Sequence, residues 1–408
     1  MDFSSPMISL LLHILVIVSL FCTFNCLETS SQLVNQTFQS REELHKLKKI
    51  FATRLNRINK FTLKTIQSPD EDIIDCVLTH KQPAFDHPLL KGQKPLDPPK
   101  LPKGHNKIGN LSESFQIWSL SGESCPDGTI PIRRITEQEM LITKRTRGFG
   151  TKSTEDGATH IYANAKMHGG EMYGAKATIN VWIPHVESPN EFSLSQIWVM
   201  SGTSGKDLNT VEAGWQVYPL IFKDNRSRLF IYWTADDYQH TGCYNLYCPG
   251  FVHINKRIAL GAAISPTSTY NGKQFDITLS IWKDVKTGNW WLDYGSGNFI
   301  GYWPSSLFPN LKKAATEVHW GGEITNNHYP RASSTQMGSG HFAEEGFKKA
   351  SYFKNMGVLD SDNTWTALFA EPIYSATNAN CYSIKGGRNR DWGDHFYYGG
   401  PGKNKNCP

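Results

Sequence analysis

Short runs of alternating apolar and polar residues dominate the chain beyond about residue 155. The clearest is 275–282, where Asp276, Thr278 and Ser280 alternate with large apolar residues. A period of two predicts a β-strand with one buried and one wetter face. Similar runs occupy 175–183, 196–200, 228–234 and 289–294, with Gly, Asn, Asp and Pro clusters between them. No long helical pattern intervenes, so the pattern favours an all-β, antiparallel β-sandwich over an α/β enzyme.

The preceding part of the chain has a different pattern, which predicts a small α/β segment. A capping-box sequence at 40–43 is followed by apolar residues at spacings of three and four: Leu44, Leu47, Ile50, Phe51, Leu55 and Ile58. This predicts an amphipathic helix that docks through its apolar face; a calmodulin-binding or membrane-surface helix is the alternative. The Pro- and Lys-rich residues 82–104 predict an extended segment, and 125–134 predict a turn and a short strand.

The N-terminus has the pattern of a targeting segment. Residues 7–22 form an apolar run without a charge, which predicts a signal peptide over 1–26. Asp2 stands where Lys or Arg is usual, and an uncleaved membrane anchor is the alternative. No later segment approaches a spanning length, so no membrane association is expected after the signal is removed. Glycosylation sequons at Asn35, Asn110 and Asn225 are compatible with secretion.

Cysteine usage also agrees with export. Cys22 and Cys26 fall in or beside the signal peptide, which leaves an even number of cysteines and predicts disulfides. Six cysteines can pair in many ways, and pairing neighbours keeps each bond within one segment of the chain. The predicted bonds are Cys76–Cys125, Cys243–Cys248 and Cys381–Cys407. No Cys-x-x-Cys occurs and no His pair accompanies these cysteines, so no metal site is predicted.

Composition and motifs exclude several function classes. The formal net charge of +5 is spread along the chain, which gives no case for nucleic-acid binding. No Gly-x-Ser-x-Gly elbow, His-Glu-x-x-His helix or phosphate-binding glycine loop occurs. The sequence therefore offers neither a serine nucleophile nor a metal-bound water as the catalytic group.

Two carboxylates remain as candidates. Glu212 and Glu323 are single acids within apolar, aromatic and Gly-rich segments that alternate like strands. Burial beside aromatic residues raises the pKa of a carboxyl group, and two such acids in one cleft separate into a proton donor and a base. Such a pair activates water without a metal or a covalent intermediate. A carbohydrate-binding sandwich, or a glycosidase that uses the same acids, is the alternative function.

Several blocks in this order resemble the neprosin family. They are 209–219 and 318–324 around the two glutamates, together with 242–251, 288–291, 301–304 and 335–340. Residues near Cys76 and at 82–90 resemble the activation peptide that precedes the domain in plant members. The resemblance covers nearly all of the chain after the signal peptide.

The resemblance implies a glutamic endopeptidase of prolyl type, active in acid, on a jelly-roll-like β-sandwich. It places the family's catalytic glutamates on Glu212 and Glu323. It also implies a cut near 150–153, which divides the chain into a signal peptide (1–26), an activation peptide (27–152) and a catalytic domain (153–408).

Supporting residues are predicted from their place beside these acids. Gln216 is a candidate oxyanion donor because residues four apart on a strand share a face. Trp215, Tyr218 and Trp320 are candidate cleft aromatics, with core packing as the alternative. The expected partners are proline-containing peptides or proteins and the prosegment bound in cis, with no cofactor. The chain is expected to be a monomer secreted to the extracellular space or cell wall, with the vacuole as the alternative destination.

Overall fold

The computed structural model describes residues 41–105, 116–120, 122–145, 159–295 and 297–408. These residues divide into two compact units between residues 55 and 56. Helix α1 (Arg41–Phe61) spans that division and matches the predicted amphipathic helix. No helix within the described ranges is long and apolar enough to cross a membrane. The predicted signal peptide, the cut near 150–153, Cys22, Cys26, Asn35 and Asn110 all lie outside these ranges.

The small N-terminal segment continues from α1 into a three-stranded antiparallel sheet. Its strands lie in the order β1 (Thr62–Gln67), β2 (Ile73–Leu78) and β3 (Thr129–Arg133), and α2 (Glu137–Arg145) follows. The Pro-rich residues form only single 3₁₀ turns, such as Pro83–Asp86, before an extended stretch. This combination of helix and sheet confirms the predicted α/β character of the segment.

The rest of the chain forms two antiparallel sheets. Sheet I has the order β17-β4-β14-β6-β7-β8-β9, and sheet II the order β10-β13-β12-β11-β5-β15-β19-β18 with β16 paired to β15. The strands of sheet I are β4 (Thr159–Met172), β6 (Ser193–Ser201), β7 (Asn209–Val217), β8 (Arg228–Thr234), β9 (Cys243–Tyr244), β14 (Ala315–Asn326) and β17 (Ile373–Ala376). Those of sheet II are β5 (Gly174–Asn180), β10 (Val252–His253), β11 (Asp276–Lys283), β12 (Trp290–Tyr294), β13 (Phe299–Trp303), β15 (Ser351–Leu359), β16 (Trp365–Thr366), β18 (Ser383–Asn389) and β19 (Gly393–Gly399). A short helix, α3 (Pro219–Phe222), connects β7 to β8.

One large apolar core lies between the two sheets. Val211, Ala213 and Trp215 of β7 belong to it, together with Ile179 of β5 and Leu279 of β11. Because successive side chains of a strand point to opposite faces, the even-numbered residues of β7 lie on the outer face of sheet I. The two-sheet core confirms the predicted β-sandwich.

The second face of β11 departs from the prediction. Thr278 and Ser280 were expected on a wetter face, but both are buried. Ala84, Phe85 and Leu90 of the N-terminal segment pack in one cluster with Trp282 and other aromatic residues of sheet II. The alternating pattern identified the strand correctly, but it could not show that another part of the chain covers its polar side.

A buried charge network also joins the N-terminal segment to sheet I. Asp72 accepts a hydrogen bond from Arg133 Nε (2.7 Å) and another from Arg228 Nη1 (2.5 Å). Arg228 also pairs with Asp224 at 2.7 Å, so it retains one carboxylate partner within its own part of the chain. Removing one member of such a buried network leaves an uncompensated charge. The network therefore favours this one arrangement of the N-terminal segment against sheet I.

All three predicted disulfides are present. The bonds are Cys76–Cys125, Cys243–Cys248 and Cys381–Cys407, with Cα–Cα distances of 5.3, 5.6 and 5.4 Å. Each bond joins neighbouring cysteines, so each closes a loop within one segment of the chain.

Candidate active site

Glu212 and Glu323 lie on the outer face of sheet I, on either side of β6. In register, Glu212 of β7 is opposite Trp198, and Glu323 of β14 is opposite Leu194. The position between these two on the same face of β6 is Gln196, which has Gly214 on one side and Gly321 on the other. The row between the two acids therefore carries a single side chain, that of Gln196.

The two glycines are required by close backbone approach. A Cβ at Gly214 would lie 2.0 Å from the Ser195 carbonyl oxygen, and a Cβ at Gly321 would lie 2.4 Å from the Ala163 carbonyl oxygen. Real side chains do not tolerate such distances to backbone atoms. At these positions β7 approaches β6, and β14 approaches β4, in a way that only glycine permits.

Replacing Gly214 with alanine should destabilise the fold by about 3 kcal/mol or more, because a backbone clash cannot be relieved by a rotamer change. The measurement is the thermal unfolding temperature of the full chain. The matched control is Gly387→Ala on edge strand β18, where the three atoms nearest to the added Cβ belong to the His395 side-chain ring and not to the backbone. Equal unfolding temperatures for the two variants would contradict the close packing inferred at Gly214.

Glu212 is buried, with 4% of its surface exposed, and its carboxyl group accepts three hydrogen bonds. Thr210 Oγ1 and the Tyr238 hydroxyl donate to Oε1, each at 2.7 Å, and Gln196 Nε2 donates to Oε2 at 2.9 Å. Burial raises the pKa of Glu212 to about 7, against the three hydrogen bonds, which lower it. The charge on Glu323 raises it further, so the two acids are electrostatically coupled.

The Gln196 amide can serve both protonation states of Glu212. Its Nε2 donates to the carboxylate, while its Oε1 is buried without a hydrogen-bond partner among the described residues. A neutral carboxyl group needs an acceptor for its own proton. A rotation of the Gln196 amide by 180° brings Oε1 to Glu212 Oε2 and supplies that acceptor.

Glu323 has a different environment. It is also buried, with 2% of its surface exposed, and its Oε1 lies 2.5 Å from His160 Nδ1. Tyr162, directly opposite Glu323 on β4, donates its hydroxyl to the carboxylate. Burial and the Glu323 charge hold the Tyr162 pKa well above its usual range, so the phenol stays protonated and remains a donor.

Aromatic side chains surround the two acids on this face. Trp198, Tyr218, Tyr232 and Tyr238 belong to one buried cluster together with Phe192. Tyr218 packs on Phe192 with ring centroids 5.6 Å apart, so the predicted Tyr218 lies in the aromatic surroundings of the site. Such rings provide an apolar surface on which a ligand can pack.

Two of the predicted cleft residues lie elsewhere. Trp215 and Trp320 are in the core between the sheets, where their Nε1 groups donate to the backbone oxygens of Asn180 and Lys176. The prediction that they line the cleft is wrong, because each is an odd number of residues from its glutamate and so points to the opposite face. The alternative prediction for these two tryptophans, packing in the core, agrees with their place in the structure.

Gln216 shares the face of Glu212 but is not adjacent to either acid. Leu194 separates it from Glu323, and Gly214 precedes it on β7. Its amide is fully buried, and neither Oε1 nor Nε2 has a hydrogen-bond partner within the described ranges. Its role as an oxyanion donor therefore stays a prediction.

Sequence reasoning missed five residues that contact the acids: His160, Tyr162, Gln196, Thr210 and Tyr238. His160 and Tyr162 belong to β4, which has an alternating stretch over 159–167 that was not recognised. Gln196 lies within a predicted strand, and its place between two strand glycines was the available signal. Of the predicted glycosylation sites, Asn225 lies in the described part of the chain, and its side chain is exposed.

Two family models match the chain. The neprosin model matches residues 189–401, and the neprosin activation peptide model matches residues 65–175. Glu212, Glu323 and Gln196 fall within the first match, whereas His160 and Tyr162 fall within the second. The two acids and the residues that contact them therefore come from both matched regions.

Solved structures that resemble the chain include two peptidases and one β-porphyranase. Scytalido-glutamic peptidase with a peptide-based transition-state analogue is 12% identical, with a TM-score of 0.33, over 59% of this chain and 98% of that one. SCP-B, an eqolisin-family peptidase with the tripeptide Ala-Ile-His, is 11% identical, with a TM-score of 0.30 over the same shares. A β-porphyranase from the human gut bacterium Bacteroides plebeius is 8% identical, with a TM-score of 0.19, over 40% of this chain and 55% of that one.

The neprosin match covers more than half of the chain and includes both acids of the site. The activation peptide match precedes it, in the order that the resemblance implied. On these grounds, this chain belongs to the neprosin family.

Proposed function

We propose that this chain is a secreted glutamic endopeptidase that cleaves after proline at acidic pH and is made as a zymogen. Family membership and the activation peptide support a peptidase with a cis-acting prosegment. The glutamic class, the proline preference and the secreted, monomeric state are the further parts of the proposal.

The observation that carries the proposal is the unequal environment of the two acids. Burial raises the pKa of Glu212 to about 7, so Glu212 is protonated in acid. Glu323 instead contacts the His160 ring and accepts a hydrogen bond from the Tyr162 hydroxyl. One acid is thus suited to donate a proton and the other to accept one, which is the division of roles that activated-water hydrolysis needs.

In the proposed mechanism, Glu323 acts as the base and Glu212 as the acid. Glu323 takes a proton from water as the water oxygen attacks the scissile carbonyl carbon. Glu212 donates its proton to the carbonyl oxygen, which gives a tetrahedral diol. The C–N bond then breaks as the leaving nitrogen receives the proton held by Glu323, and one hydroxyl proton of the diol returns to Glu212 as the new carboxyl group forms. Thr210, Tyr238 and Gln196 hold the Glu212 carboxyl group in place. General acid–base catalysis by the two glutamates contributes roughly 10²–10⁴-fold to the rate.

The zymogen state is supported by the activation peptide match and by the burial of both acids in the full chain. The exposed fractions of Glu212 and Glu323 are 4% and 2% in this conformation. The N-terminal segment is held by the Asp72 network and by apolar packing on sheet II. We propose that a cut between the activation peptide (27–152) and the catalytic domain (153–408) allows the site to open.

The proline preference is tested with a matched pair of peptides that differ at one position. The matured protein should cut the first peptide after its only proline and cut the second, with alanine there, much more slowly, since a proline ring packs well on aromatic side chains. Mass spectrometry identifies the cut sites and gives the two rates. Equal rates would remove the proline preference, and release of reducing sugar from a glycan without peptide cleavage would favour the glycosidase.

A further inference from the structure

A second group of titratable side chains lies on the same outer face of sheet I. His168 of β4, Glu317 of β14 and His319 of β14 offer ligand atoms that all lie within 4.8 Å of one another. Glu317 and His319 are two apart on one strand, and His168 is directly opposite Glu317 on the neighbouring strand. The register of the two strands therefore brings two imidazoles and one carboxylate to one point.

The distances already approach those of a metal site. Glu317 Oε1 lies 3.4 Å from His168 Nδ1 and is hydrogen-bonded to His319 Nε2. Ligand atoms of a tetrahedral zinc ion at ordinary bond lengths are separated by about 3.4 Å. Small side-chain rotations would open the Glu317–His319 contact enough to place an ion among the three atoms.

The group is also accessible, unlike the two buried acids. The exposed fractions of the His168, Glu317 and His319 side chains are 45%, 29% and 15%. An ion can therefore enter from solvent, and a fourth position remains for water. Two neutral imidazoles and a carboxylate suit zinc and similar transition ions, whereas magnesium prefers oxygen ligands and retains its water.

We infer that His168, Glu317 and His319 form a binding site for a single zinc-like divalent transition-metal ion on the active-site face of sheet I. The sequence predicted no such site, because His168 is distant from the other two ligands along the chain. The site is separate from the proposed catalytic pair, since Glu317 is six residues from Glu323 along β14. It adjoins the aromatic surroundings of Glu212 through His319, whose ring packs edge-on against Trp198 at 6.4 Å.

One neighbouring charge opposes the ion. Lys166 lies directly opposite His319 on β4, and its positive charge acts on both Glu317 and His319. The Lys166 ammonium group repels a nearby cation, so we expect the site to bind zinc with moderate affinity. Removing this charge should increase the zinc affinity. Lys166→Met should therefore bind zinc more tightly than the wild type.

The test is isothermal titration of zinc chloride into the full chain near neutral pH, without a histidine tag. We expect one zinc ion per chain. His168→Gln or Glu317→Gln should weaken zinc binding by at least about tenfold, because losing a group that only supports a ligand already costs about that much. Because His168 is half exposed, its replacement should leave the unfolding temperature unchanged. Magnesium chloride should give no binding under the same conditions.

The matched control is His341→Gln. His341 forms a pair with Glu345 at 3.0 Å, but it belongs to no three-ligand group among the described residues. This variant should bind zinc as the wild type does. The inference is overturned if the wild type binds no zinc, or if His168→Gln and Glu317→Gln bind it as tightly as the wild type. Neither result depends on peptidase activity, so the proposed function is tested separately.

Discussion

Replacing Glu323 with glutamine is expected to lower kcat/KM for peptide hydrolysis by about 10²–10⁴-fold. Glutamine has the shape of glutamate but cannot accept a proton from water. The carbonyl oxygen of the glutamine side chain can still accept a hydrogen bond from the Tyr162 hydroxyl, and its amide can still face His160. The local packing is therefore retained. The unfolding temperature should therefore stay close to that of the wild type while turnover is lost.

The control for this substitution is Glu171→Gln. Glu171 is an exposed acid on the same sheet, near the end of β4, where it pairs with Lys313. Its replacement should leave kcat/KM unchanged, since an exposed ion pair contributes little. Measurable turnover by Glu323→Gln at the wild-type rate would show that Glu323 is not the base.

The rate of hydrolysis should fall as the pH rises above about 7. Glu212 must be protonated to act as the acid, and burial raises its pKa to about 7. Below that pH the acid form dominates, and above it each further pH unit should reduce kcat/KM about tenfold. The measurement is a pH–rate profile of the matured protein, and a flat profile into the alkaline range would contradict the shared roles of the two acids.

The Glu212→Gln variant separates proton donation from hydrogen bonding. Glutamine can donate a hydrogen bond to the carbonyl oxygen but cannot transfer a proton, so turnover should be lost at every pH. If the variant keeps the wild-type rate in acid and loses the decline near pH 7, Glu212 only donates a hydrogen bond.

The same ionisation should appear in the stability of the fold. The folded-state pKa of Glu212 lies above its ordinary value of 4.5, so the native state binds the proton more tightly than the unfolded chain. The native state therefore loses stability as the pH rises from about 4.5 to about 7, by about 3 kcal/mol for this group. The difference in unfolding free energy between the wild type and Glu212→Gln, measured across that range, isolates this contribution.

Much of the fold could be predicted because alternation is a local signal. The strand at 228–234 was placed with the bounds of β8, and the run at 275–282 lies largely within β11. What alternation could not predict is which distant segment covers a strand. Trp282 packs in one cluster with Ala84, Phe85 and Leu90, nearly two hundred residues earlier in the chain.

The candidate site was predictable in part for the same reason. Glu212 and Glu323 were singled out by their apolar, Gly-rich surroundings and by resemblance, and the structure places both on one face of sheet I. Their contacts to His160, Tyr162 and Gln196 arise from the register of separate strands, which no local pattern encodes. The misplacement of Trp215 and Trp320 was avoidable, because the parity of a strand position already assigns them to the opposite face.

The central claim is that this chain hydrolyses peptides with Glu212 and Glu323. For its most direct test, the wild type and the Glu212→Gln/Glu323→Gln double variant are both matured in acid with the same added protease. Each matured protein is then incubated with one unbiased peptide library. Mass spectrometry then compares the products. We predict many cuts by the wild type, most of them after proline, and none by the double variant. Identical cuts by both proteins, or no cuts by a wild type that has demonstrably lost its prosegment, would contradict the account.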